Sequence, residues 1–339
     1  MTAPCRKTPL PSFSARGERP VRGGSILVVG DTQRTALFES LIGRESNEAE
    51  QCELVAMMAS EPNVAYVLHL GDMVVEGGSD HEWAYYTRLM APLAARELSV
   101  YPVLGNHDYS GPRAVDRAQA DPLANARRYS PELAAAERDN PPRTYYAKVL
   151  DGLGLIFLDS NLQHDTGRAA EQTRWLESQL ANLDADASVR AVLLLSHHPP
   201  FTSGKNRQGD EYMRRVVVPR MLSSRKGVVL LSGHVHGYER FEIGDRTFVV
   251  SGGGGGPRVK YLPARGGTPA PAYVHRHSGF RPLNYLVIRD QGTRLDFSVR
   301  CLPEPGDESS CPNGRLDSFS VSVPVAVPTR ASPLASGSQ

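Results

Sequence analysis

The sequence predicts an α/β fold, and three observations support this. Short apolar runs rich in β-branched residues alternate with longer stretches of helical spacing. Most of these runs stop at a glycine or serine that is followed at once by a polar side chain. No internal repeat and no linker divides the chain. Alternation of this kind is typical of sheets covered by helices.

The strands can be read in chain order from the apolar runs. They are predicted at 25–30, 64–70, 100–104, 144–150, 153–158, 191–195, 228–231, 246–250, 283–288 and 295–301. Pro102 lies inside the third run, which indicates incomplete pairing there. Asp151-Gly152 separates the fourth and fifth runs and predicts a two-residue hairpin turn. Helical spacing is found at 34–61, from Trp83 to Met90, around Leu176 and at 211–222.

Composition and charge set limits on the partners. The chain has 339 residues, with 38 Lys and Arg against 37 Asp and Glu. Because this balance creates no basic field, nucleic acid is not expected as a partner. No apolar run reaches the ~20 residues of a membrane span. The sequence does not indicate an oligomeric state.

One domain is predicted from residue 25 to residue 324, between a disordered lead at 1–24 and a low-complexity tail at 325–339. The lead lacks the apolar centre of a signal peptide. The chain is therefore expected to be soluble, and either cytoplasmic or exported with its signal removed.

Four cysteines allow two disulfides with three connectivities. Cys301 and Cys311 flank a polar loop and are the favoured pair, which would leave Cys5 with Cys52. Four free thiols fit the sequence equally well.

The candidate site residues lie where five apolar strands end. The side chains after these strands are Asp31, Asp72, Asn106 with His107, His197, and His234 with His236. One such ending is usually turn chemistry, but five in one chain are hard to explain in that way. Because sites in α/β sheets lie outside the carboxyl ends of the strands, we expect these side chains to converge.

These strand ends resemble the sequence blocks of the calcineurin-like metallophosphoesterases, the family that includes the purple acid phosphatases. The matching blocks are Gly30-Asp31-Thr32-Gln33, Gly71-Asp72-Met73-Val74, Gly105-Asn106-His107-Asp108, Ser196-His197-His198-Pro199 and Gly233-His234-Val235-His236. The resemblance extends from about residue 26 to about residue 251. Tyr238-Glu239-Arg240 is similar to the purple acid phosphatase branch in particular.

The resemblance implies a four-layer α/β/β/α sandwich of two mixed sheets with flanking helices. It also implies a centre for two divalent metal ions. Asp31, Gln33 and His236 would hold one ion, Asn106, His197 and His234 would hold the other, and Asp72 would bridge them. Two ions about 3.5–4 Å apart can share a hydroxide, and they can hold both the attacking and the leaving oxygen of an in-line displacement. The centre would keep a net positive charge and attract a phosphate anion.

Two further residues receive catalytic roles from the resemblance. His107 would stabilise the transition state or protonate the leaving oxygen, and Asp108 would hold its tautomer. A structural role is the alternative for His107.

Gln33 departs from the resemblance, since the commoner pattern has a histidine there. A carboxamide oxygen favours Mn, Mg or Fe over Zn. The expected cofactors are thus two divalent ions (Mn, Fe or Zn), with Mn or Fe at Gln33. No equivalent of the tyrosine ligand of purple acid phosphatases follows Gln33.

Four residues are candidates for substrate binding: His198, His275, His277 and Tyr238. Solvated loop histidines are the alternative for His275 and His277, and simple packing is the alternative for Tyr238. His69 lies inside a strand and is interpreted as a core histidine.

The predicted function is a two-metal phosphoesterase that hydrolyses small phosphomonoesters, with His107 assisting the leaving group. A phosphodiesterase using the same site is the alternative. A non-catalytic scaffold of the same fold is disfavoured because every block is filled.

Overall fold

The structure is a computed structural model that describes residue 5, residues 23–35, 41, 43–111, 121–203, 209–258, 269–273 and 281–324. The strands are β1 (Ser25–Val29), β2 (Val64–His69), β3 (Val100–Pro102), β4 (Tyr146–Leu150), β5 (Leu153–Phe157), β6 (Ala191–Ser196), β7 (Gly227–Ser232), β8 (Tyr238–Ile243), β9 (Arg246–Ser251), β10 (Asn284–Asp290), β11 (Arg294–Cys301) and β12 (Arg315–Ser322). The helices are α1 (Glu48–Ser60), α2 (Asp80–Leu89), α3 (Ala91–Ala94), α4 (Leu123–Tyr129), α5 (Pro131–Ala136), α6 (Thr166–Ala185) and α7 (Val218–Ser223), which a π-helical turn (Met213–Val217) precedes.

The strands form two six-stranded mixed sheets, which confirms the predicted fold class. The first sheet has the order β12-β11-β10-β1-β2-β3, and the second has the order β4-β5-β6-β7-β9-β8. β1, β2 and β3 run parallel, as do β5, β6, β7 and β9. β3, the strand with Pro102, is an edge strand, which agrees with the incomplete pairing that its proline indicated.

Alternation along each central strand explains the layers. Leu193 and Leu195 of β6 belong to the core that both sheets share, whereas Val192 and Leu194 pack with the α6 and α7 side. Because both faces are buried, such strands appear in the sequence as continuous apolar runs. The Asp151-Gly152 turn has positive φ at both residues (48° and 79°), as a type I′ hairpin requires.

Hydrogen bonds close the sandwich at both edges. At one edge the Tyr146 hydroxyl of β4 donates to the Pro102 carbonyl of β3 at 2.8 Å. At the other edge Asp317 of β12 accepts from the Tyr238 hydroxyl and from Arg240 Nε of β8, each at 2.8 Å. These bonds hold the two sheets in register with each other.

The four cysteines form two disulfides, Cys5–Cys52 and Cys301–Cys311. The pair favoured by the sequence is therefore present, and the four-thiol alternative is wrong. The first disulfide joins the N-terminal lead to α1. Among the described helices, none is long and apolar enough to cross a membrane.

His69 is a core histidine, as interpreted from the sequence. Its ring is completely buried, and its Nε2 lies 3.0 Å from Thr32 Oγ1. The Thr32 hydroxyl donates to the Met73 carbonyl, so it accepts from Nε2–H. Burial lowers the pKa of His69 to about 3, which keeps the ring neutral.

We predict that His69 makes the folded state less stable in acid. The unfolded chain binds a proton at this ring below about pH 6.5, whereas the folded chain does so only near pH 3. Stability is therefore lost as the pH falls through this window. In urea unfolding with chelator present, the wild type should lose about 2 kcal/mol more than His69→Phe between pH 7 and pH 5. Equal losses in both proteins would contradict this assignment.

Candidate metal centre

The predicted ligands converge at one end of the sandwich, where parallel strands of both sheets end. The first sheet supplies Asp31 and Gln33 after β1, Asp72 after β2, and Asn106 after β3. The second sheet supplies His197 after β6, and His234 and His236 after β7. Ligand atoms of Asp31, Asp72 and His197 all lie within 4.8 Å of one another. Convergence of the strand ends is thus observed, and both sheets contribute to the site.

Unusual backbone turns aim these side chains. Asp31, Asp72 and His234 all adopt left-handed backbone conformations, with φ of 61°, 51° and 68°. Such conformations cost about 1–3 kcal/mol each and are concentrated at functional sites. Gly71, before Asp72, has φ of 84°, and a Cβ there would lie 2.6 Å from the backbone nitrogen of Gly105. The strand ends can therefore approach closely only with glycine at this position.

A first group of possible metal ligands lies around Nε2 of His197. Its Nδ1 donates to the Leu70 carbonyl at 2.8 Å, which leaves a lone pair on Nε2 of the neutral ring. That Nε2 lies 3.2 Å from Asn106 Oδ1, 3.2 Å from His234 Nδ1 and 3.2 Å from Asp72 Oδ2. Asn106 Oδ1 and the ionised Asp72 Oδ2 can only accept hydrogen bonds, so they call for a cation beside them, either a proton on His197 or a metal ion. These residues fit the metal position predicted for Asn106, His197 and His234.

A second group of possible metal ligands lies around Nε2 of His236. Its Nδ1 donates to the Pro257 carbonyl at 2.7 Å, so its Nε2 likewise carries a lone pair. That Nε2 lies 3.4 Å from Asp31 Oδ1, a buried oxygen with no hydrogen-bond partner in the described part of the chain. A buried carboxylate oxygen without a partner is costly unless a cation binds it.

Gln33 completes the second group through the orientation of its carboxamide. When its nitrogen donates to the backbone carbonyls of Asp31 (3.2 Å) and Asp72 (3.0 Å), its oxygen faces His236 Nε2 at 3.2 Å. Both of those atoms offer lone pairs. The residues predicted for the other ion therefore also fit a metal.

Charge interactions within the site show how strongly it attracts a cation. Burial alone would lower the pKa of His197, but the Asp72 carboxylate raises it to about 9. Burial opposes ionisation of Asp72, yet His197 lowers the pKa of Asp72 well below its usual range. In the absence of a metal ion, a proton on His197 thus balances the Asp72 charge. A metal ion would replace that proton.

His107 lies beside the ligands and is half-buried. Its backbone N–H donates to Asp72 Oδ1 at 2.8 Å, and its Nδ1 donates to the Val75 carbonyl at 2.9 Å. The prediction that Asp108 holds the tautomer of His107 is therefore wrong. The group that holds it is a backbone carbonyl.

Asp108 instead organises the turns that carry the ligands. Its completely buried carboxylate accepts backbone N–H bonds of 2.9–3.4 Å from Gly105, Asp72, Met73 and Val74. Burial and the Asp72 charge raise the pKa of Asp108 to about 7, and the N–H donors oppose that shift. Asp108 thus joins the turn after β2 to the turn after β3.

The candidates for substrate binding have different outcomes. His198 lies at the centre, with its ring centroid 4.3 Å from that of His234. Tyr238 is buried, and its hydroxyl bonds to Asp317 of β12, so its predicted substrate role is wrong. His275 and His277 lie outside the described residues.

Sequence reasoning missed one supporting residue, Gln51 of α1. Its Nε2 donates to the carbonyls of Thr32 and Gln33 at 3.2 and 3.1 Å, while its Oε1 accepts from the Tyr85 hydroxyl. It therefore fixes the turn that carries the Gln33 ligand. No motif in α1 signals this role, because the contact depends on tertiary packing.

We predict that metal ions stabilise the fold, because each predicted ion draws ligands from both sheets. An ion present at 100 times its dissociation constant should add about 2.7 kcal/mol to the free energy of unfolding. Calorimetry should show a higher melting temperature for the Mn-loaded protein than for the chelated protein. Asp72→Asn should reduce this difference. Equal melting temperatures with and without metal in the wild type would contradict the centre.

The fold and the site together define a class of protein: a two-sheet α/β sandwich with a possible metal-binding group at one end. The family model for calcineurin-like phosphoesterases matches residues 24–238 of the 339. The chain therefore belongs to the calcineurin-like phosphoesterase family.

Individual relatives agree with this assignment. Purple acid phosphatase 18 of Arabidopsis thaliana is 30% identical over 222 residues, which cover 63% of this chain and 44% of the relative. A probable cyclic nucleotide phosphodiesterase of Rhodopseudomonas palustris is 24% identical over 219 residues, covering 62% and 70%. The chain spans less than half the length of the plant relatives it matches.

The fold is also similar to a solved structure, a purple acid phosphatase from yellow lupin (Lupinus luteus) seeds. The TM-score is 0.60 at 15% identity, and the match covers 88% of this chain and 53% of that chain. At this identity the similarity concerns the fold alone.

Proposed function

We propose that this protein is a metal-dependent phosphoester hydrolase that acts on small phosphomonoesters. The observation that carries the proposal is the set of possible ligand atoms around His197 and His236, which lie 3.2–3.4 Å apart. Two divalent ions bound there would supply a Lewis acid for the phosphoryl oxygens and a nucleophile at neutral pH. Family membership supports the same chemistry.

The chain's own residues would position the reaction. Asp72 Oδ2 lies 3.2 Å from His197 Nε2 and 3.3 Å from the Gln33 carboxamide, so it stands between the two groups of ligands and is suited to bridge both ions. His107 would give a proton to the leaving oxygen from Nε2, because the Val75 carbonyl holds the hydrogen at Nδ1. The half-buried position of His107 would let it meet both the substrate and the solvent.

His107 should matter most for substrates with poor leaving groups. Loss of a general acid typically costs about 10²–10⁴-fold in rate. His107→Ala should therefore slow an alkyl phosphate by about this amount and slow an aryl phosphate with an acidic phenol much less. Measurement of kcat for a series of leaving groups checks this. Equal slowing across the series would remove the acid role from His107.

The Gln33 carboxamide favours Mn or Fe over Zn at the ion position that it would share with Asp31 and His236. A carboxamide oxygen is a harder ligand than imidazole, and harder ligands favour these ions over Zn. The nitrogen of the same carboxamide donates to two backbone carbonyls, so this orientation of the oxygen is favoured.

We predict that Gln33→His changes the metal preference. The variant should take up more Zn relative to Mn than the wild type, because imidazole suits Zn. Metal content after equilibration with equal concentrations of both ions, measured by mass spectrometry, checks this. Gln33→Asn, which keeps the carboxamide, is the matched control. An unchanged Zn-to-Mn ratio in Gln33→His would contradict the role of Gln33 in selection.

A phosphodiesterase is the second candidate function, favoured by the relative from Rhodopseudomonas palustris. Rates on matched aryl phosphomonoesters and aryl phosphodiesters, with Mn, Fe and Zn each supplied in turn, distinguish the two. A higher kcat/KM for the diester would favour this candidate.

The proposal also includes the cellular compartment in which the protein acts. Both disulfides fit an oxidising compartment, since such bonds rarely persist in the cytosol. The small phosphorylated substrate would be attracted by the charge of the ions themselves.

A further inference from the structure

His197 and His198 are neighbours in sequence, but their Nδ1 atoms meet different partners. His197 Nδ1 faces the Leu70 carbonyl at 2.8 Å, and a carbonyl can only accept. His198 Nδ1 faces Ser160 Oγ at 2.8 Å, and a hydroxyl can either donate or accept. The tautomer of His198 therefore depends on the other hydrogen bonds of Ser160.

The other hydrogen bonds of Ser160 determine which group donates in its bond to His198 Nδ1. Ser160 is completely buried, and its Oγ already accepts from the backbone N–H of His198 at 3.0 Å. A buried hydroxyl hydrogen needs an acceptor. Among the described residues, His198 Nδ1 is the acceptor within hydrogen-bond distance of this hydroxyl. Ser160 therefore donates to Nδ1, and the neutral ring of His198 carries its hydrogen on Nε2.

This tautomer distinguishes His198 from the ligands around it. One of its ring nitrogens lies within 4.8 Å of ring nitrogens of His197 and His234, so it stands beside a metal position. A ring nitrogen that carries hydrogen cannot bind a cation, whereas it can donate to an oxyanion. Because Nδ1 is bonded to Ser160, Nε2–H is the group that can serve in this way.

We propose that His198 is a neutral donor that positions a phosphoryl oxygen of the substrate, and that Ser160 fixes the tautomer this requires. The inference rests on the proposed function, because it needs a phosphoryl group at the centre. Two adjacent imidazoles would thus have opposite tasks: His197 offers a lone pair to a metal ion, and His198 offers a hydrogen to the anion bound beside it.

The experiment uses the full chain loaded with Mn. For the wild type, His198→Ala, His198→Gln, Ser160→Ala and Ser160→Thr, it measures bound metal by mass spectrometry, inorganic phosphate affinity by calorimetry, and KM with kcat. His198→Ala should keep two ions but weaken phosphate binding and raise KM by about tenfold or more. His198→Gln, whose amide also offers an N–H group, should recover part of this loss.

Variants of Ser160 test whether this residue acts through the tautomer of His198 or only supports the fold. Ser160→Ala should weaken phosphate binding by a smaller factor, because His198 can then adopt either tautomer, and Ser160→Thr should restore it. In the His198→Gln background, Ser160→Ala should have no further effect. An additional loss in that background would overturn the role of Ser160.

Other outcomes separate this inference from the proposed function. Loss of an ion in His198→Ala would make His198 a ligand and overturn the inference. Unchanged phosphate affinity and KM in His198→Ala and His198→Gln, with an active wild type, would also overturn it while the proposed function stands. A wild type that holds metal and binds phosphate but hydrolyses no phosphoester would reject the proposed function instead.

Discussion

Buried ligand atoms that need a cation between them are the constraint on which this structure depends. Asp31, Asp72 and the histidines that follow β6 and β7 are brought within 3.2–3.4 Å by turns that are unfavourable in isolation. The fold holds them there with ordinary backbone chemistry. Two carbonyls orient the ligand imidazoles, and four N–H groups hold Asp108 beneath them. The protein therefore contributes a fixed geometry, and a bound cation would contribute the attraction.

Much of this site could be predicted from the sequence, because parallel strands that end in polar residues bring those residues to one edge. The roles of Asp108 and Tyr238 could not. Asp108 follows His107 directly, yet its side chain enters the turn below, where backbone N–H groups need an acceptor. Tyr238 follows a ligand by two residues but belongs to an edge strand, and its hydroxyl serves the contact between sheets.

Two strands were also absent from the sequence prediction, and both lie at the ends of their sheets. β8 and β12 alternate apolar with charged or hydroxyl side chains, since one side of each meets solvent or the opposite sheet edge. Continuous apolar runs are typical of strands buried on both faces, whereas β8 and β12 carry exposed or half-buried side chains. Patterns of edge strands are weaker, because hydrogen bonding to a neighbour, rather than burial, fixes much of their structure.

The disulfide between Cys5 and Cys52 has a practical consequence for work with shortened chains. Cys52 lies next to Gln51, the residue that holds the carbonyls of Thr32 and Gln33. Trimming the N-terminal lead would leave Cys52 as a half-buried thiol on α1, available for exchange or for pairing between molecules. The oxidation state of the lead would then influence the helix that supports one metal position, although Cys5 lies far from it in sequence.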